Sequence, residues 1–195
     1  MNSKLWWYTA RSGGIVAWAL LAASVLWGLA LSTKVLRGKP RPNWILDLHR
    51  FLGGLALIFT GIHVIAILLD SFVHFGLVEV LVPFTGTWHP VAVAWGIVAL
   101  YLLAAVEATS LARKKLSKKV WRTTHYLSFP LFALTTIHAL SAGTDRSTFI
   151  LRWGIIAVVV VVTGLTAMRI NKADKHDVLT SPASGAPARE RVSNR

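Results

Sequence analysis

Long apolar runs constrain this chain more than any other feature. Stretches near 12–33, 44–70, 90–112, 120–141 and 149–169 carry almost no charge, and each reaches the roughly 20 residues a helix needs to cross the hydrocarbon layer. Backbone polar groups find no water there, so a spanning segment must satisfy them internally, as a helix or a closed barrel. The runs are continuously apolar and lack the alternation of barrel strands. They predict an all-α fold, an integral membrane helical bundle of five transmembrane helices. The first run is longer than a signal-peptide core and is followed at once by four cations, so it reads as a membrane helix and not as a cleaved leader.

The formal net charge is +13, which in a soluble chain would suggest nucleic acid. Here the basic residues fall in short clusters between apolar runs and do not line one amphipathic face, so topology accounts for them and nucleic-acid binding is not expected. Lys34, Arg37, Lys39 and Arg41 follow the first run. Arg113, Lys114, Lys115, Lys118, Lys119 and Arg122 follow the third. By the positive-inside rule both loops are cytoplasmic, while 71–89 and 141–147 face outward. Five spans then place the N-terminus outside and the C-terminus inside, against a mild opposing signal from Lys4 and Arg11. The expected organisation is a short outer segment over 1–11, a transmembrane domain over 12–170 and a disordered cytoplasmic tail over 171–195. That tail is rich in Ser, Ala, Pro and charge. The chain has no cysteine, which excludes disulfides, iron–sulfur clusters and thiolate zinc sites.

Of seven histidines, His74 and His89 fall in an outer loop and His176 in the tail, where solvation explains them. His49, His63, His125 and His138 lie within predicted spans two and four. Ionisable residues inside a membrane are rare and mark ligands, relays or interhelical hydrogen bonds. Both spans run from inside to outside, so His49 and His125 fall at the inner level. His63 and His138 lie 14 and 13 residues further on, about 20 Å along the axis. Neutral imidazoles facing each other from two helices form an axial ligand pair for haem iron. One haem per level gives two stacked haems between the second and fourth helices. Fourteen residues return to within about 40° of the starting face, whereas 13 miss it by about 140°. Pro130 lies between His125 and His138 and can bend or rewind that helix. Gly53, Gly54 and Gly61 between the first pair offer close approach to a flat macrocycle or another helix. Arg50, Lys119 and Arg122 inside, with Arg11 and Arg146 outside, are candidate partners for haem propionates.

Three rival readings stand beside this one. Zinc accepts imidazole but prefers four ligands around one ion, and the two levels are too far apart to supply them. A proton relay usually includes carboxylates, and the nearby ones are Asp47, Asp70 and Glu107. A non-redox transporter or assembly factor would use the histidines structurally or as proton carriers.

The motifs "ARSGG" at 10–14, "HRFLGG" at 49–54 with His63, "PFTG" at 83–86, "TS" at 109–110, "WRTTHYLSF" at 121–129 and "HALSAGTD" at 138–145 together resemble the ferric reductase-like transmembrane domain. Ferric reductases, NADPH oxidases and the membrane haem subunit of the periplasmic methionine sulfoxide reductase system share that domain. The resemblance covers roughly residues 8–170. It implies two b-type haems with bis-histidine ligation, the inner held by His49 and His125 and the outer by His63 and His138. Electrons would pass from a cytoplasmic or quinol donor to an outer acceptor: ferric iron, oxygen or a periplasmic redox protein. Arg11 matches the family's arginine at the start of this helix, which implies contact with the outer haem or its substrate. Full-length ferric reductases append flavin and nicotinamide domains after the last span. Here the last 25 residues carry no dinucleotide signature, so a separate flavoprotein or membrane quinol is the expected donor. The family's core often has six spans, and the one unmatched here is the first. Other dihaem cytochromes arrange their histidine helices differently. The short loops fit a bacterial inner membrane.

Overall fold

A computed structural model of the chain describes residues 3–36, 41–71, 73–145 and 147–180, with backbone alone at 3, 42 and 172–180. All regular structure among them is helical: α1 Ser3–Thr33, α2 Pro42–Leu69, α3 Leu77–Leu81, α4 Pro90–Leu111, a 3-10 turn Arg113–Lys115, α5 Lys118–Tyr126, α6 Ser128–Ala142 and α7 Phe149–Thr180. Local chemistry sets the starts. Pro42 and Pro90 open α2 and α4, where a fixed φ suits the first turn and a missing N–H costs nothing. Ser117 caps α5 by accepting from the Val120 N–H at 3.2 Å, one of the donors an open helix end leaves unsatisfied.

Four helices are long and apolar enough to cross a membrane: Lys4–Thr33, Asn43–Leu69, Pro90–Leu111 and Phe149–Asn171. The chain is a multi-pass membrane protein. Among the described residues it has four such helices and not the five expected, because predicted span 120–141 is divided at Leu127 into pieces of 9 and 15 residues. Proline supplies the reason. Pro130 has no N–H to give the Tyr126 carbonyl, and its ring crowds that carbonyl. The Leu127 N–H instead turns back to the Thr124 carbonyl at 3.0 Å, and Leu131 donates to the Leu127 carbonyl at 2.9 Å to begin the next run. The α7 backbone continues to Thr180, while 181–195, most of the expected tail, lie outside the described residues.

The core lies where α1, α2, α4, α6 and α7 meet. One cluster joins Leu21, Ala56, Ala99, Leu103 and Leu131, and a second joins Ala22, Val25, Leu29, Phe132 and Val162. Buried alanines recur on the helices, among them Ala56, Ala66, Ala94 and Ala99. Where lipid is as apolar as the helix faces, small residues hold helices together by close van der Waals approach. A hydrogen bond from the Trp18 indole N–H to the Thr136 hydroxyl, 3.0 Å, ties α1 to α6. Outward-facing Phe51, Ile58, Ile65 and Val160 are exposed, the surface expected of a bundle solvated by lipid.

Candidate functional site

Helix α2 carries His49 and His63, α5 carries His125 and α6 carries His138. The structure brings His49 to His125, with ring centroids 5.9 Å apart and planes at 81°. It brings His63 to His138, at 6.3 Å and 75°. A continuous helix would turn one of these pairs out of register by about 140° over its 13 residues. The joint at Leu127 absorbs that rotation, so both partners face α2.

Three of the four imidazoles are fixed through the same atom. The Nδ1–H of His63 donates to the Ala10 carbonyl at 2.6 Å, that of His138 to the Ala92 carbonyl at 2.8 Å and that of His49 to the Ser24 carbonyl at 2.8 Å. The Ser24 hydroxyl, in turn, donates to the His49 carbonyl at 3.2 Å. A carbonyl only accepts, so the proton sits on Nδ1 and the Nε2 lone pair stays available to a metal. His125 is held differently. Its Nδ1 is buried with no hydrogen-bond partner among the described residues, and its ring stacks on Trp121 at 5.2 Å and 20°. The Arg113 guanidinium lies 4.4 Å from the Trp121 centroid.

The separations test what the pairs could hold. With a metal–imidazole bond of about 2.0 Å on each side and roughly 1.2 Å more from nitrogen to ring centre, two imidazoles on opposite faces of one ion have centroids about 6.4 Å apart. The observed 5.9 and 6.3 Å fit that arrangement. Among the described residues no three His, Cys, Asp or Glu side chains converge as ligands of one bare ion, so the four-ligand zinc alternative lacks its ligands. Around the outer pair lies a cavity of about 280 Å³, its lining mostly apolar, with Gly14, Trp18, His63, Gly96 and His138 on its walls.

The cationic candidates fall in different places. Arg11 lines the outer cavity, lies 4.0 Å over the Trp7 ring and forms an ion pair with Asp145, its Nε donating at 2.9 Å. Each partner keeps about a quarter of its side chain exposed, 27% and 25%. The bridge therefore falls between the exposed and buried classes, and Arg11→Ala is expected to cost about 1 kcal/mol. Thermal unfolding of Arg11→Ala, Asp145→Ala and the double variant checks this, since additive losses would mean that the two side chains are not coupled. Arg50 is exposed and lies 3.7 Å from Asp47. Exposed Arg122 donates to the Tyr126 hydroxyl at 3.3 Å, and Lys119 is exposed. Arg146, and the side chain of His176, lie outside the described residues. Asp70 is buried, lines the outer cavity and has an unpartnered Oδ1.

The glycines that touch the histidines are not those singled out between them. A β-carbon at Gly54 or Gly61 would meet nothing within 4 Å, and at Gly53 it would meet Glu107 Oε1 at 2.7 Å. Gly14 lies against His63, Gly28 against His49 and Gly96 against His138. The sequence held one signal for this: Gly14 and Gly28 have the same 14-residue spacing as His49 and His63.

Fold and site thus define a multi-pass helical membrane protein with facing histidine pairs at two depths. The chain belongs to the ferric reductase like transmembrane component family, whose model matches residues 13–136. This family generally binds haem, and membership points to transmembrane electron transfer. The match takes in His49, His63 and His125 and ends two residues before His138. Neither the curated proteins nor the solved structures contain a match to the chain.

Proposed function

We propose that the chain conducts electrons across the membrane through two b-type haems, the inner held by His49 and His125 and the outer by His63 and His138. The carrying observation is that the two facing pairs lie 14 residues apart along α2, about 21 Å, with Nε2 left free on three of the four rings. A haem held by such a pair would supply a one-electron iron couple suited to electron transfer. The residues of the chain do the rest. Carbonyls of Ala10, Ser24 and Ala92 hold the Nδ1 protons and with them the tautomer. The mostly apolar wall of the cavity disfavours water beside the outer pair. Arg11 is placed to meet a propionate or the acceptor's charge at the outer mouth, and Arg50 and Arg122 serve propionates at the inner level.

On this reading α5 and α6 act together as one traverse, the N-terminus lies outside and the C-terminus inside. A flavoprotein or quinol delivers electrons at the inner face of a bacterial inner membrane. Ferric iron, oxygen or a periplasmic redox protein takes them at the outer face. A reduced-minus-oxidised visible spectrum with a pyridine haemochrome count tests it. A b-type spectrum with two haems per chain is expected. A colourless protein after expression with ample haem would return the histidines to hydrogen bonding or proton transfer.

A further inference from the structure

The geometry points to Gly14, Gly28 and Gly96 as positioning residues, each of which lets one histidine ring lie on a neighbouring helix so that its Nδ1–H reaches the carbonyl four residues earlier. The same construction occurs three times. His63 bonds Ala10 and lies against Gly14, His49 bonds Ser24 and lies against Gly28, and His138 bonds Ala92 and lies against Gly96. The four-residue offset has a physical origin. In an α-helix the carbonyl of residue i−4 points at the N–H of residue i, and its second lone pair is open only to a group that comes in from the side. A planar ring reaching that lone pair must cross the surface of residue i, where any side chain would begin.

The distances show how little room there is. A β-carbon at Gly96 would stand 2.7 Å from His138 Cε1 and 2.8 Å from Nδ1. At Gly14 it would stand 3.0 Å from His63 Nδ1, and at Gly28 3.3 Å from His49 Cε1. An alanine at 96 must therefore push the ring off the helix and break the bond that fixes its tautomer. One at 14 displaces the ring less, and one at 28 least. Among the described residues His125 has neither a glycine beneath it nor an Nδ1 partner, and rests on Trp121 instead. The outer pair is thus fastened on both sides and the inner pair on one.

The consequence for haem rests on the function proposed above, whereas the histidine geometry does not. The test therefore reads both, on the full chain purified in detergent with ¹⁵N-labelled histidine, comparing wild type with Gly96→Ala, Gly14→Ala, Gly28→Ala and the open-space control Gly54→Ala. Wild type with haem bound is expected to show all four pair histidines as the Nδ1–H tautomer, with the protons of His49, His63 and His138 hydrogen-bonded, and each of the three variants is expected to weaken one of those three bonds, in the order 96, 14, 28. Outer-haem retention is expected to fall about 10–100-fold in Gly96→Ala, the usual cost of losing a group that orients a metal ligand. Gly14→Ala should alter the midpoint potential and low-spin spectrum of the outer centre alone, and Gly28→Ala those of the inner. Gly54→Ala should leave every readout in place. Because Gly28→Ala meets only a tight contact, it tests the idea even if Gly96→Ala does not fold. Nδ1–H resonances and potentials unchanged across all three would overturn the inference. A chain that binds no haem would overturn the proposed function, and the nitrogen spectra would still decide the role of the glycines.

Discussion

His63→Ala and His138→Ala are each expected to remove the outer haem and leave the inner one, halving haem per chain and abolishing electron transfer across the membrane. With one imidazole of the pair gone, an outer haem would be held by a single ring, and the cavity wall beside it is mostly apolar. The remaining centre would then lie about 21 Å along α2 from the emptied level. Haemochrome counts give the stoichiometry, and reduction of an external acceptor by proteoliposomes loaded with reductant gives the transfer. His49→Ala and His125→Ala should produce the mirror result at the inner level. His89→Ala serves as control, because that side chain meets Trp88 at 4.5 Å outside both pairs. A full haem complement in all four pair variants would show that the ligands lie elsewhere.

Pro130→Ala is expected to lower haem content while making its own helix more regular. Proline inside a helix costs about 3 kcal/mol. As the third residue of α6, however, its absent N–H is one of those with no intrahelical partner. Alanine there gives the Tyr126 carbonyl a donor again and favours one helix from Lys118 to Ala142. Thirteen residues of unbroken helix rotate His138 about 140° away from the face of His125, so the two cannot both meet α2. The expected pattern is raised or unchanged helical circular dichroism together with loss of one haem. Two haems with unchanged spectra would show that packing around Leu127, and not the proline, makes the joint.

Much of this is legible in the sequence. Membrane-length runs follow from apolar continuity, and the levels of the histidines follow from spacing along a rod of known rise. Pro130 was visible as a disturbance, but the joint falls three residues earlier because the ring acts on the carbonyl of residue i−4. The count of long helices was overestimated for that reason, since hydropathy is blind to a break inside an apolar run. In the sequence the conspicuous glycines lie between His49 and His63, on the histidines' own helix. Those that matter sit on α1 and α4, and periodicity within one helix does not say which residue of another lies beneath a ring. Nor could sequence pair Arg11 with Asp145 across 134 positions, a contact that exists only once the bundle closes.

The pairing of helices also bears on how the protein assembles. Helices α1 and α2 are neighbours in sequence and lie along each other, and their mutual hydrogen bonds, His49 to Ser24 and His63 to Ala10, need nothing from the rest of the chain. The hairpin of α4 and α6 likewise contains the bond from His138 to Ala92. Each half can insert with its own ligands already oriented, but neither half contains a complete pair. Coordination at either level would join the halves across a seam otherwise closed by side-chain packing and a few polar contacts. Cofactor supply and helix association then become a single equilibrium, in which a cell short of haem would accumulate two inserted hairpins awaiting their rivets.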